Sequence, residues 1–189
     1  MPVLAADVAQ NRLAQDEGVL TALRATAAEN AILFAPGPIG AKEWLDAAEP
    51  FPPTNWRAHR ILVSCDGTIG VATGSISWDD HPGYYTTIWR YETPGDDSAR
   101  GKWRWILSHG AGVDEPRPAP AAPQVEAASC DALPEPLVNI ARMGHSADAS
   151  LRYRWSFDEE AGKKLTVELW DGAAYRLVLE DSLAPGQEQ

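Results

Sequence analysis

The sequence predicts an α+β fold in which helices cover one face of a curved antiparallel sheet and a small antiparallel meander follows. Three observations carry this. Apolar residues near the N-terminus recur at helical spacing, whereas from Trp56 onward apolar and polar residues alternate between turn signals. A Pro/Ala-rich stretch then interrupts the chain, and a second alternating region closes it. With 189 residues, 44% of them hydrophobic, there is material for a full domain core and an appendage.

The first element is a long helix over about Asp7 to Ala31, with Leu13, Leu20, Leu23 and Ala27 on one stripe; Gly18 weakens it. Pro36-Gly37-Pro38 forces a turn. A short helix around Ala41–Ala48 carries Trp44 and Leu45, and Pro50, Pro52 and Pro53 end it. Four strands follow. Trp56–Ser64 and Thr68–Trp78 flank the hairpin signal Asp66-Gly67. Tyr84–Glu92 comes after the Asp79–Gly83 turn, and Lys102–Gly110 after a connection over Pro94–Asp97 and Gly101. In Tyr84–Glu92, Tyr85, Thr87, Trp89 and Tyr91 share one face, and Tyr84, Thr86, Ile88 and Arg90 the other.

Residues 114–136 read as an extended linker between a first domain, 1–113, and a β-rich module, 137–189. Leu137–Met143 suggests one or two helical turns. Leu151, Tyr153, Trp155 and Phe157 then alternate with polar residues, and Lys164–Trp170 and Ala174–Glu180 repeat the pattern around Asp171-Gly172. Three such short strands bury too little to stand alone, so the meander is expected to dock on the first domain or on another subunit.

The formal net charge is −11, made of −4 over residues 1–113 and −7 over 114–189. Neither half offers the basic face that a nucleic-acid or anionic-membrane partner needs. No apolar run approaches the roughly 20 residues of a membrane span. The segment Met1–Asp7 has neither the positive n-region nor the apolar h-region of a signal peptide. This leaves two readings open, a cytosolic chain or an exported one without its leader. No phosphate loop, dinucleotide fingerprint, zinc spacing or nucleophile elbow is present, so no cofactor and no metal is expected.

Residues 11–113 resemble a known family. The segments NRLAQDEGVLTALRATAAENAILFAPGP, Trp56, SCDGTIGVATGSISW, PGYYTTIWRY and GKWRWILSHG are similar to the SnoaL-like domains of the nuclear transport factor 2-like superfamily, in the branch grouped as a domain of unknown function. The resemblance implies a cone-shaped bent sheet wrapped round a long helix, with a cavity open at one end. It also implies that a carboxylate or His in that dry cone can act as an acid or base. The family's activities range from isomerases to non-catalytic dimerisation modules, so the resemblance speaks to fold more than to chemistry. Pairing through the exposed sheet face makes a homodimer the expected assembly.

His109 is the candidate catalytic residue. It lies on the last strand of the first domain, sharing a face with Trp105 and Leu107 by simple alternation, and relatives place a His or Asp at this end. A strand-end His bonded to backbone is the commoner outcome for such a residue. Relatives also show an Asp where this chain has Ser108. The candidate ligand-binding residues are Trp44, Trp56, His59, Trp78, Tyr85, Trp89 and Trp105, which together suit an apolar or planar molecule, although any one Trp can simply be core. Asp66 reads as turn chemistry, and Asp79-Asp80-His81 as a solvated loop. Cys65 and Cys130 admit two readings, buried free thiols or a disulfide stapling the linker to the cone. The leading expectation is a pocket protein for a small apolar or aromatic molecule. The alternatives are an isomerase- or hydratase-like enzyme using His109 with Tyr85 or His59, and a structural module whose cone is filled.

Overall fold

A computed structural model describes residues 2–52, 54–93, 101–138 and 140–185. Helix α1 (Pro2–Glu17) stops at Gly18, whose φ of +92° suits glycine, and α2 (Val19–Thr26) resumes after it. The helix expected to reach Ala31 therefore ends at Thr26. Ala27–Phe34 is strand β1, paired antiparallel to β2 (Pro38–Gly40) on one side and parallel to β6 (Lys102–Gly112) on the other. Two ladders and the burial of Ala28, Ala31 and Leu33 override the helical preference of this Ala-rich segment. Helix α3 spans Ala41–Ala47.

The larger sheet runs β2-β1-β6-β5-β4-β3-β7, with β3 at Thr54–Val63, β4 at Ile69–Trp78 and β5 at His81–Glu92. Its centre, β3 to β6, is the expected antiparallel meander. Strand β7 (Gln124–Ala127) lies inside the stretch read as an unpaired linker and pairs parallel to the end of β3. Its four residues contain no proline, and as an edge strand it needs only one ladder. The connection over 94–97 lies outside the described residues.

A second sheet, in the order β11-β10-β9-β8, comprises β8 (Met143–His145), β9 (Leu151–Asp158), β10 (Gly162–Trp170) and β11 (Tyr175–Leu183). Among the described residues of 137–143 no helical turn forms. Arg142 takes a φ of +63°, and Met143 begins β8 by pairing with Arg154. The second sheet packs on the face of the first that points away from the helices. The rings of Phe34 and Trp155 meet edge to face at 5.5 Å, and Arg60 Nη1 donates to the Val178 carbonyl at 2.8 Å. Part of that outer face is thus covered within one chain.

Cys65 and Cys130 form a disulfide with 5.3 Å between their Cα atoms. It ties the end of β3 to the segment after β7. Beside it, the Cys65 amide donates to Ser150 Oγ and the Ser129 amide to the Trp170 carbonyl, so both sheets meet here. Asp66 and Asp148 complete the joint by each accepting the other's backbone N–H, at 2.9 and 2.8 Å.

Candidate functional site

The helices define the inner face of the larger sheet. On β5, Tyr85 and Trp89 point inward, Tyr85 to helix α1 and Trp89 beneath it. On β6, Trp105 also points inward, its indole N–H donating to the Leu23 carbonyl at 3.0 Å. Between them the register shifts. Trp89 pairs with Trp105 but Ile88 with Leu107, so Ile106 is an extra residue, a β-bulge. Beyond a bulge, alternation starts again on the opposite face. Ser108 and Gly110 consequently face the helices, while Leu107 and His109 face the second sheet.

Between α1, α2 and this inner face lies a cavity of about 430 Å³. Trp56, Ile76, Trp78 and Leu23 give it apolar walls, and Gln10, Thr87 and Ser108 add a few polar groups. Three of the expected ligand-binding residues, Trp56, Trp78 and Tyr85, line it. The other four do not. Trp44 stacks on Phe51, which lines the cavity in its place. Trp89 and Trp105 are wholly buried core. His59 belongs to the outer face, its Nε2 3.1 Å from Ser75 Oγ, as alternation from Trp56 places it, and the register shift between Ala58 and Arg60 turns Arg60 to the same face beside it.

His109 is likewise absent from this cavity, and the bulge at Ile106 is the reason. Its Nε2 meets the Tyr84 hydroxyl at 3.0 Å between the sheets, and its Nδ1 is buried without a hydrogen-bond partner. Burial pushes its pKa down to about 4, only partly opposed by Asp181 and reinforced by Lys163 and Arg117. The imidazole is neutral in this place, packed between Tyr84 and the edge of the Phe34 ring on the outer face of the larger sheet.

The acid that sequence reasoning missed is Asp7. It is 1% exposed, and its Oδ2 accepts a 2.9 Å hydrogen bond from the Tyr85 hydroxyl. Its Oδ1 has no partner. Burial lifts its pKa to about 7, with the Tyr85 hydrogen bond pulling the other way. Burial and the neighbouring carboxylate both push the Tyr85 phenol upward, so it remains a donor. Tyr85 lines the cavity and Asp7 stands behind it. One turn along, Gln10 donates to Thr26 Oγ1 at 2.8 Å, which fixes its amide at the cavity edge. A signal was present: Val3, Asp7, Gln10 and Ala14 form a single buried stripe at spacings of four, three and four. A carboxylate within such a stripe cannot be solvated.

The loop Asp79-Asp80-His81 is exposed, with His81 Nδ1 turned back to the Asp79 carbonyl. Among the described residues no group of three His, Cys, Asp or Glu could hold a metal ion, and no helix is long and apolar enough to cross a membrane.

No family model matches the chain, and no curated protein matches it. Among solved structures, the chain is similar to a cystatin-like fold protein from Burkholderia xenovorans LB400. The identity is 18% and the TM-score 0.45, over 61% of this chain and 92% of that one.

Proposed function

We propose that this chain is a pocket protein of the SnoaL-like type that takes up a small apolar or aromatic molecule between α1–α2 and the inner face of the larger sheet. The observation that carries this reading is the open cavity of about 430 Å³ with its walls of Trp56, Trp78 and Ile76. That volume suits a ligand of modest size, and convergent polar groups at Gln10, Thr87 and Ser108 would orient it. A structural module whose cone is filled by side chains would leave no such space. Titration with naphthalene and related neutral aromatics, followed by tryptophan fluorescence and native mass spectrometry, tests the reading. Saturable binding that weakens at least tenfold in Ser108→Phe supports it. A panel of neutral apolar probes that all fail to bind, with the protein folded, overturns it.

Acid–base chemistry is the second reading, and it moves from His109 to Asp7 acting through Tyr85. The unpartnered Oδ1 of Asp7 and its pKa of about 7 favour it. The phenol reaches the cavity with its O–H turned to Asp7, so its oxygen can take a proton from the α-carbon of a ligand while its own proton passes to the Asp7 carboxylate. Return along the same route after exchange with water completes the cycle. Deuterium washout from the α-carbon of a bound cyclic ketone measures this. Exchange that is lost in both Tyr85→Phe and Asp7→Asn supports the pair, and exchange unaffected by either removes it.

A further inference from the structure

The chain runs from β6, near the middle of the larger sheet, to β7 at its edge, so residues 113–123 must cross the outer face as a strap. Two arginines hold this strap down. Arg117 lies 4.0 Å over the Tyr84 ring and pairs with Asp181 Oδ1 at 2.8 Å. Arg57, from β3, donates to the carbonyls of Pro120 and Ala121 at 3.2 and 3.3 Å. Beneath the strap is a second cavity, of about 450 Å³, on the face opposite the first.

We propose that this cavity is a binding site for a small organic carboxylate with an apolar body. Arg60, Arg117 and His59 line it, together with Pro118, Pro120 and Leu179, and none of the described residues lining it is acidic. In a chain of net charge −11 this is a local reversal of sign. The balance of the surroundings agrees. Arg57, Arg60, Arg117 and Arg176 gather here against two carboxylates, Glu126 and Asp181, with Arg176 sharing Glu126 and Arg57 bonded, among the described residues, to carbonyls. An anion would reduce this local excess of positive charge.

The guanidinium groups are also held ready. Arg60 is fixed by the Val178 carbonyl at 2.8 Å and by Glu126 at 3.1 Å, and Arg117 by Asp181 and the Tyr84 ring. Little side-chain entropy is then lost on binding. Their planar forks match a carboxylate, and the prolines and Leu179 offer the remainder of the ligand an apolar wall. His59 is kept neutral by burial and by the charges of Arg57 and Arg117, so a bound anion would draw its pKa upward.

The test is a titration of the full chain with sodium benzoate, against benzamide and inorganic phosphate, reading the His59 ring by NMR and the indoles of Trp56 and Trp78 by fluorescence. Benzoate is expected to saturate, to raise the His59 pKa and to leave both indoles unchanged, with benzamide and phosphate at least tenfold weaker. Arg117→Gln should weaken benzoate at least tenfold. Arg117→Lys, which keeps the charge opposite Asp181 but loses the fork, should fall between. Benzoate that fails to saturate, binds both variants as it binds the parent, or perturbs only the indoles overturns the proposal. So does benzamide or phosphate binding as well as benzoate. The two cavities lie on opposite faces, so this result is independent of the first site's occupancy.

Discussion

Tyr85 of β5 donates a 2.9 Å hydrogen bond to Asp7 of α1, and the two residues are separated by 78 positions in the chain. This contact joins the inner face of the sheet to the first helix and sets a buried carboxyl directly behind a cavity wall.

Asp7 has a pKa near 7 in the fold against 3.8 as the ordinary value. A folded-state pKa above the unfolded one means that the native state keeps a proton that the unfolded chain releases. The stability this gives is complete below about pH 4 and is lost as pH rises through 7. Asp7→Asn, which mimics the protonated acid, should therefore gain on the parent by about 2–4 kcal/mol between pH 4.5 and pH 8.5. Urea unfolding of both proteins at the two pH values measures this, and a difference that does not change with pH contradicts it.

The disulfide should matter more than any surface contact. It links residues 65 positions apart, and closing a loop of that length stabilises by about 4 kcal/mol on the chain-entropy argument. Cys65→Ser with Cys130→Ser should lower the unfolding free energy by that order. The far-ultraviolet spectrum should not change, because the ladders of both sheets are independent of it. Equal stability of the oxidised parent and the double variant is the contrary result.

Asp181 is 2% exposed and links the second sheet both to the first sheet and to the strap. Its Oδ2 accepts from Thr86 at 2.6 Å and its Oδ1 from Arg117 at 2.8 Å. Asp181→Ala should cost about 2–3 kcal/mol, less than for a fully buried pair because Arg117 can turn to water. Hydrogen exchange over residues 114–123 should accelerate in the same variant. An unchanged exchange rate there would mean that Arg117 does not hold the strap.

Gly74 sits where β4 faces the register shift of β3. A Cβ at this position would lie 2.0 Å from the Arg57 carbonyl oxygen and 2.8 Å from the His59 nitrogen. Both are backbone atoms in a ladder and cannot swing away. Gly74→Ala should lower stability by about 2–3 kcal/mol, read from its denaturation midpoint.

Much of the architecture was legible because hairpins are local. The alternation in β3–β6 and β9–β11 and the Asp-Gly turns at 66–67 and 171–172 specify strand pairs whose partners are neighbours in sequence. What could not be read depended on distant partners. Ala27–Phe34 is held as a strand over its full length by β6, some seventy residues on, since β2 reaches only its last three residues. Gln124–Ala127 is one only because β3 offers an edge.

The site suffered from the same dependence on partners. Strand parity identified Tyr85 and Trp89 as sharing a face, and that face is the inner one. Parity failed for His109, which lies beyond a register shift that leaves no clear mark in the local sequence, whereas alternation from Trp56 already sets His59 on the outer face. Asp7 escaped notice because a carboxylate on an N-terminal helix usually faces water. Its spacing with Val3, Gln10 and Ala14 was the evidence to the contrary.

The single unpaired residue Ile106 separates position along the chain from position in the sheet. Were that one codon deleted, every remaining rung would stay as it is, with Trp105 against Trp89, Leu107 against Ile88 and His109 against Thr86. The imidazole would keep its place beside Tyr84, and the Ser108 hydroxyl would stay in the hollow under the helices. A lineage could thus shorten this strand by one residue without exchanging the contents of its two compartments.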